Sequence, residues 1–365
     1  MNDQYWYDLP ERLIAQVPAN PRDSSKLLIY NTKNNQLIID EFKNLTTSLP
    51  PSTTLTLNDA EVVPARVSLT KETGGKIIIL FLVNEWIMAP NGPIPCLLDR
   101  KAEVGGMLFF PDKSFVTVQR KDKGIFFVSW SGNERQFIQK LNEYGTMPIP
   151  PYIKHSPLSR DELRKKYQTI FAKKIGSSAA PTASLHFTPE VFARLKAAGI
   201  KKQYITLHVG LGTFAPLTKE NMRLKTLHKE WYELTGDVFR YIDKSKSKKN
   251  DITAVGTTVV RTLESAALVL KSEKTSLSKS DAPLEPPYNK NSLSGATDLF
   301  IYPPFKFKVV DHLITNFHLP GSSLMMLVDA FLAHKKAPKR ILELYEFAIK
   351  NEFRFYSFGD AMLIL

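Results

Sequence analysis

The chain has 365 residues, with 49 lysines and arginines, 36 aspartates and glutamates, and a hydrophobic content of 43%. At roughly 100–200 residues per domain, this length predicts two domains, each with its own core, and the composition excludes disorder over most of the chain. Apolar runs such as Ile77–Val83 are far shorter than the roughly 20 residues that a membrane-spanning helix needs.

The charge balance favours a polyanionic partner. The formal net charge is +13, and positive surface raises both the association rate and the non-specific affinity for phosphate backbones. The first residues include Asp3 and Asp8 and lack the basic stretch and apolar core of a secretory signal, so we expect a cytoplasmic protein. The single cysteine, Cys96, excludes an intrachain disulfide and a thiolate zinc site, and we expect a buried thiol there.

In chain order, the first predicted elements are the strands of a hairpin, Lys26–Tyr30 and Leu37–Asp40, around an Asn- and Lys-rich turn. Six short β-branched or aromatic runs follow, separated by turn residues: Val62–Leu69, Lys76–Val83, Glu85–Met88, Met107–Phe110, Ser114–Arg120 and Gly124–Trp130. Turn signals about every 8–12 residues are typical of a sandwich or a barrel. We therefore predict a small antiparallel β-barrel.

Beyond the barrel, helices alternate with strands. The predicted helices are Glu134–Tyr144, capped by Gly145, then Asp161–Phe171, Pro189–Ala198, Thr257–Leu270, Ser322–His334 and Lys339–Lys350. The predicted strands are Gln203–Val209, Asp251–Val255, Leu299–Tyr302 and Phe307–Thr315. This alternation predicts an α/β layer. The polar tract 271–295 has no apolar period and is predicted to be a mobile surface loop.

Several standard site motifs are missing from the sequence, among them a P-loop, a paired-histidine zinc helix and a nucleophile elbow. Gly210, Gly212 and Ala215 match the dinucleotide pattern G-x-G-x-x-A, but Pro216 prevents the helix that this site requires. We interpret this segment as a loop that exposes its backbone at the carboxyl end of a strand, where α/β proteins bind ligands.

Polar residues cluster in four strings at predicted strand ends. The strings are Ala180–Phe187, His208–Thr213, Gly256–Glu264 and Thr315–Ser323. Two of them precede a predicted helix, where free N–H groups and hydroxyls favour an anionic group. A single Thr or Ser at such a place is more often a helix cap, and a single His is more often a hydrogen-bonded structural residue. Together the four strings predict a polar pocket.

These strings resemble those of the S-adenosylmethionine:tRNA ribosyltransferase-isomerases, the enzymes that make epoxyqueuosine. The resemblance runs in one order along nearly the whole chain. It includes Tyr7–Ala15, Val63–Arg66, Met147–Tyr152, Tyr167–Thr169, Ala180–Thr182, Leu185–Phe187, Thr206–Gly210, Gly256–Glu264, Thr315–Pro320 and Phe353–Met362. The string Thr315–Pro320 is the most specific of these.

The resemblance implies an α/β domain, residues 1–60 and 148–365, with the β-barrel inserted at residues 61–147. It also implies transfer and isomerisation of the ribosyl part of S-adenosylmethionine onto 7-aminomethyl-7-deazaguanine at the wobble position of tRNA. The products are epoxyqueuosine-tRNA, adenine and methionine. S-adenosylmethionine is then a co-substrate and not a recycled cofactor, no metal is expected, and we expect a monomer with no membrane partner.

This chemistry needs a base. The sulfonium acidifies the adjacent 5′ carbon of the ribose, and a histidine that accepts a proton near neutral pH suits that step. The candidate catalytic residues are therefore His318, His208 and His186, in that order, because His318 lies in the most specific string. The identity of the base stays open among them.

Further candidates bind the substrates. Those for the small substrate are Arg66, Thr182, Thr257, Thr258, Arg261, Glu264, Asn316 and Ser322. The two arginines suit a carboxylate or phosphate, and Glu264 is expected to orient Arg261. For tRNA the candidates are Arg354, which lies between two phenylalanines and suits stacking, and Asp360, which suits a base edge. Hydrogen bonding within the fold is an equally good interpretation of most of them.

Some positions depart from the family pattern. Glu61, Thr146, Ser184 and Pro304 stand where the family usually has a basic residue, His, Gly and Gly. A side chain at a glycine position takes space or strains the backbone. These departures favour an alternative, a non-catalytic RNA-binding relative whose pocket has drifted. A third possibility is an enzyme that acts on a free nucleoside.

Overall fold

The structure, a computed structural model, describes residues 3–87, 92–210, 217–240, 250–276, 288–289 and 292–365. In this part of the chain the strands are β1 (Lys26–Asn31), β2 (Gln36–Glu41), β3 (Thr54–Asn58), β4 (Ala60–Val62), β5 (Arg66–Lys71), β6 (Lys76–Phe81), β7 (Ile94–Leu98), β8 (Met107–Phe109), β9 (Phe115–Asp122), β10 (Ile125–Trp130), β11 (Lys174–Ser177), β12 (Lys201–Leu207), β13 (Thr226–Thr235), β14 (Ile252–Val255), β15 (Tyr288–Asn289), β16 (Ser292–Leu299), β17 (His312–Asn316) and β18 (Ala361–Ile364).

The α-helices with both ends in the described ranges vary in length from four to 20 residues. They are α1 (Leu45–Ser48), α2 (Val83–Trp86), α3 (Glu134–Tyr144), α4 (Arg160–Lys166), α5 (Pro189–Ala197), α6 (Lys219–Leu224), α7 (Thr257–Ser276), α8 (Ser323–His334) and α9 (Ile341–Lys350). None of the helices in the described ranges combines the length and the apolarity that a membrane crossing requires.

A mixed ten-stranded sheet forms the α/β layer, in the order β15-β16-β13-β12-β3-β14-β17-β18-β1-β2. Its central strands β12, β3, β14 and β17 are parallel. Every residue of β3, β14 and β17 is buried, because helices and loops cover both faces of the sheet. The carboxyl ends of these four strands, at Leu207, Asn58, Val255 and Asn316, therefore lie along one edge.

The second unit is a closed six-stranded barrel, β10-β7-β6-β5-β8-β9. Each of its neighbouring strand pairs is antiparallel. Cys96 lies inside it and is fully buried, as expected, and burial raises its pKa to about 12. The fold class predicted from the sequence is confirmed. The domain division at residues 60/61 and 147/148 stays a prediction.

One predicted barrel strand is wrong. The described part of this segment, Glu85–Ile87, does not form a strand, because Val83–Trp86 is a helical turn whose Val83 and Trp86 both pack into the barrel core. Met88 lies outside the described residues. The sixth strand is Ile94–Leu98, which the sequence pattern missed because Pro95 interrupts it and a proline argues against a strand interior.

Other predicted elements differ in their bounds. The helix predicted over Asp161–Phe171 is only Arg160–Lys166, and the strand predicted over Phe307–Thr315 begins at His312. The predicted loop 271–295 contains the end of α7, to Ser276, and the first residues of β16, so that expectation is corrected at both ends. Its residues 277–287 and 290–291 lie outside the described ranges, as does the basic run 244–249.

The helix Glu134–Tyr144 ends where the sequence predicts, but for a different reason. Gly145 has φ −80° and not the left-handed conformation of a glycine cap. A Cβ atom at this position would lie 1.7 Å from the carbonyl oxygen of Pro64. Glycine is required at position 145 because the backbone of Pro64, at the entry to the barrel, lies directly against it.

Candidate active site

A pocket opens at the carboxyl edge of the parallel strands. Residues that follow β12, β14 and β17 line it, together with the segments Ala180–Ala183 and Tyr356–Ser357. The space between its walls, open mouth included, is about 680 Å³. Six of the residues predicted from the sequence line it: Thr182, Thr257, Thr258, Asn316, His318 and Ser322.

Two helices begin at this pocket, as the sequence predicts. Helix α7 follows Gly256, whose φ of +93° is a conformation that side chains disfavour, so the turn from β14 requires glycine. Helix α8 is capped by Ser322, whose hydroxyl accepts a hydrogen bond from the Met325 amide at 3.3 Å. The free N–H groups of both helix ends favour an anionic group in the pocket.

His318 is held by its backbone on a rigid loop. Its amide donates to the Tyr345 hydroxyl at 2.8 Å, and the Tyr7 hydroxyl donates to its carbonyl oxygen. Its Nε2 lies 2.8 Å from the Thr315 hydroxyl oxygen. Desolvation lowers the pKa of His318 to about 3, so the imidazole is neutral at physiological pH. A neutral ring is the form that a general base requires, but a pKa of about 3 makes this imidazole a weaker base than the near-neutral one that the sequence argument expects.

His186 lies behind the pocket and does not line it. Its Nε2 is 3.5 Å from the amide nitrogen of Asn316, and its Nδ1 is 2.8 Å from the Ser25 hydroxyl. The Asn316 side-chain oxygen accepts a hydrogen bond from the Thr182 hydroxyl at 2.8 Å. His186 is thus placed to orient the Asn316 carboxamide and not to meet a ligand itself. Burial, and after it the charge of Arg354, lowers its pKa to about 3.

His208, the second-ranked candidate base, is not among the residues that line this pocket. Its ring stacks on Trp231 with centroids 5.3 Å apart, and only 3% of the residue is exposed. Its Nδ1 has no hydrogen-bond partner among the described residues. Desolvation, with the charge of Lys174, lowers its pKa to about 4. The structure therefore places a buried imidazole here, beside the pocket residue Val209.

These two buried imidazoles predict a loss of stability in acid. Because the folded pKa values of His186 and His208 lie below the ordinary 6.5, the unfolded chain binds more protons as pH falls through 6.5. We expect each to lower the free energy of unfolding by about 2 kcal/mol between pH 7.5 and pH 5.0. Urea unfolding of the wild type and His186→Gln at both pH values measures this, and equal pH dependence in the two proteins would contradict it.

The structure corrects the expected partner of Arg261. This guanidinium is buried and forms an ion pair with Glu230, not with Glu264, and it also donates to the carbonyl oxygens of Thr297 and Leu299. The carboxylate of Glu264 accepts hydrogen bonds from the backbone amides of residues 308–310. Neither side chain lines the pocket, so both act in holding the fold around it.

The predicted tRNA contacts are corrected as well. Asp360 is 2% exposed and accepts hydrogen bonds from the Arg354 amide and guanidinium, so it is not available to a base edge. Phe353 and Phe355, which flank Arg354, are fully buried and provide no surface for stacking. Arg354 itself keeps a partly exposed side chain.

The remaining predicted residue and the departures from the family pattern are not among the residues that line the pocket. Arg66 is exposed at the start of β5, where its backbone pairs with that of Thr146. Ser184 is buried in a short helical turn and has no positive φ, so the backbone does not demand glycine there. Glu61 is half-buried, and burial raises its pKa.

Sequence reasoning missed three residues that line the pocket: Tyr152, Tyr356 and Ser357. It also missed Glu230 as the partner of Arg261. The two tyrosines lie inside strings that carry the family resemblance, Met147–Tyr152 and Phe353–Met362. Attention to the aromatic residues of those strings, and not only to their polar ones, would have found them.

Known proteins that are similar to this chain point to one family. A family model described as queuosine biosynthesis protein matches residues 2–364. Two proteins named S-adenosylmethionine:tRNA ribosyltransferase-isomerase are similar over their full lengths. The one from Carboxydothermus hydrogenoformans is 41% identical over 98% of both chains, and the one from Staphylococcus haemolyticus is 39% identical over 100% of this chain and 99% of that protein.

A solved structure is similar as well. The crystal structure of S-adenosylmethionine tRNA ribosyltransferase from Thermotoga maritima is 31% identical in sequence and superposes with a TM-score of 0.53. The match covers 99% of this chain and 100% of that one. The sequence match thus extends through both the sheet and the barrel, and the chain belongs to the family of queuosine biosynthesis proteins.

Proposed function

We propose that the protein is an S-adenosylmethionine:tRNA ribosyltransferase-isomerase. It transfers and isomerises the ribosyl part of S-adenosylmethionine onto 7-aminomethyl-7-deazaguanine at the tRNA wobble position, and releases adenine and methionine. The observation that carries this proposal is the meeting of six residues from separate sequence strings in one pocket at the carboxyl edge of the sheet. Ligands of open α/β sheets bind at this edge.

The polarity of the pocket suits the co-substrate. The N-termini of α7 and α8 favour the methionine carboxylate. Thr182 and Asn316 are hydrogen-bonded to each other at 2.8 Å and present a hydroxyl and an amide for the ribose hydroxyls. No described lining residue carries a carboxylate, so the pocket has no fixed negative charge that repels the methionine end.

His318 is the proposed general base. In the tautomer whose Nε2 donates to the Thr315 hydroxyl, 2.8 Å away, Nδ1 is the basic nitrogen. It takes the proton from the ribose 5′ carbon beside the sulfonium, and the electron pair stays on that carbon next to the positive sulfur.

The alternative of a drifted, non-catalytic pocket is not favoured. The departures at Thr146 and Ser184 lie outside the lining, and the Thr146 hydroxyl donates to the Arg66 carbonyl oxygen at 3.1 Å within the barrel connection. These substitutions therefore do not fill the ligand space. The net charge of +13 suits a tRNA partner, and we further propose a cytoplasmic monomer that uses no metal.

Adenine release tests the proposal. The purified protein is incubated with S-adenosylmethionine and tRNA that carries 7-aminomethyl-7-deazaguanine, with unmodified tRNA as the control. We expect adenine only with the modified tRNA. Binding of tRNA without adenine release would instead identify an RNA-binding relative, and activity on the free nucleoside that full-length tRNA abolishes would identify a nucleoside enzyme.

A further inference from the structure

We propose that Tyr356, backed by Tyr152, forms the subsite for the positively charged sulfonium of S-adenosylmethionine. This inference rests on the proposed function and adds a specificity-determining residue to it. The two rings lie 4.7 Å apart at an angle of 51° and both line the pocket.

The backbone of Tyr356 is held in an unfavourable conformation. Its φ is +71°, in the left-handed region that side chains rarely adopt. The other non-glycine residues with positive φ in the described chain are exposed Asn, Lys or Glu residues: Asn35, Lys113, Lys123, Lys225, Lys336 and Glu352. Tyr356 is instead aromatic and only 7% exposed. Strain at a buried aromatic residue in a pocket is typical of a functional position.

Hydrogen bonds hold both residues in place. The Tyr356 amide donates to the Phe317 carbonyl oxygen at 3.1 Å. The Tyr152 hydroxyl lies 2.6 Å from the Ser357 hydroxyl. With both residues held in this way, the apolar faces of their rings are the surface that we assign to the ligand.

Charge decides which part of the co-substrate meets these faces. Among the described lining residues none is Asp, Glu, Lys or Arg, so a sulfonium finds no carboxylate there. The N-termini of α7 and α8 favour the carboxylate end of the ligand and disfavour a cation. Three phenyl or phenol rings line the pocket in the described part of the chain, those of Phe317, Tyr152 and Tyr356, and aromatic faces attract cations. We assign the sulfonium to the tyrosine pair, whose rings lie 4.7 Å apart.

Comparing two ligands tests this assignment. S-adenosylhomocysteine has the same adenosine and amino acid as S-adenosylmethionine but a neutral thioether sulfur. Calorimetric titration of Tyr356→Leu is expected to show about tenfold weaker binding of S-adenosylmethionine and nearly unchanged binding of S-adenosylhomocysteine. Tyr356→Phe keeps the ring and is expected to keep the wild-type preference between the two ligands.

Phe355→Leu is the matched structural control. Phe355 is a fully buried neighbouring ring that does not line the pocket, so its loss lowers stability without changing the preference for the sulfonium. Should Tyr356→Leu fail to fold, Tyr152→Leu provides the same comparison, since Tyr152 is only half-buried.

Equal weakening of both ligands would overturn the inference, because the rings would then bind adenine, and unchanged binding of both would overturn it too. Wild-type protein that binds neither ligand would instead refute the proposed function itself. The two failures are therefore distinguishable.

Discussion

Replacing His318 with glutamine is expected to lower the rate of adenine release at least about 100-fold, because a positioned general base typically contributes a factor of 10²–10⁴. Glutamine keeps a polar group near Thr315 but cannot take up the proton. The side chain is half-buried and the loop is held by backbone bonds to Tyr7 and Tyr345, so the fold is expected to persist. Single-turnover measurement of adenine under saturating co-substrate checks this.

The control for this substitution is His155→Gln. His155 is exposed and does not line the pocket, so its replacement is expected to leave the rate unchanged. Because the pKa of His318 is lowered to about 3, we also expect no loss of rate near pH 6.5 from protonation of this residue. Retention of wild-type activity by His318→Gln would assign the proton transfer to another group.

Breaking the buried ion pair between Glu230 and Arg261 is expected to have the largest effect on stability. Both side chains are less than a tenth exposed, and removing one partner leaves an uncompensated buried charge, which costs about 3–5 kcal/mol. The pair also positions the pocket edge, since Glu230 accepts the Gly210 amide at 2.8 Å. Urea unfolding of Glu230→Gln measures the change in the free energy of unfolding.

Two further variants test whether the loss of stability in Glu230→Gln comes from an unpaired buried charge. The double variant Glu230→Gln/Arg261→Met removes both charges and is expected to recover part of the loss. Glu352→Gln breaks the ion pair with Arg12, in which both side chains are more than half exposed, and it is expected to change stability little. Equal effects of Glu230→Gln and Glu352→Gln would show that burial does not govern the first pair.

Local sequence patterns were sufficient for the elements that local chemistry determines. The turns from strand to helix at Gly256 and Ser322 were predictable because a positive φ or a capping hydroxyl is encoded within a few residues. The barrel was predictable from the spacing of its turns, but not every strand in it. A proline within β7 and a pair of apolar residues in α2 make local preference misleading there.

The sequence by itself determined the family, the α/β class with its barrel, and the strings that supply Thr182, Asn316 and His318. Only the tertiary structure decided that His318 reaches the pocket while His186 lies behind Asn316, that Glu230 and not Glu264 pairs with Arg261, and that Tyr356 lines the site. The physical reason is that strand register and the packing of distant segments decide which side chains are buried and what they meet, and neither is encoded in the spacing of neighbouring residues.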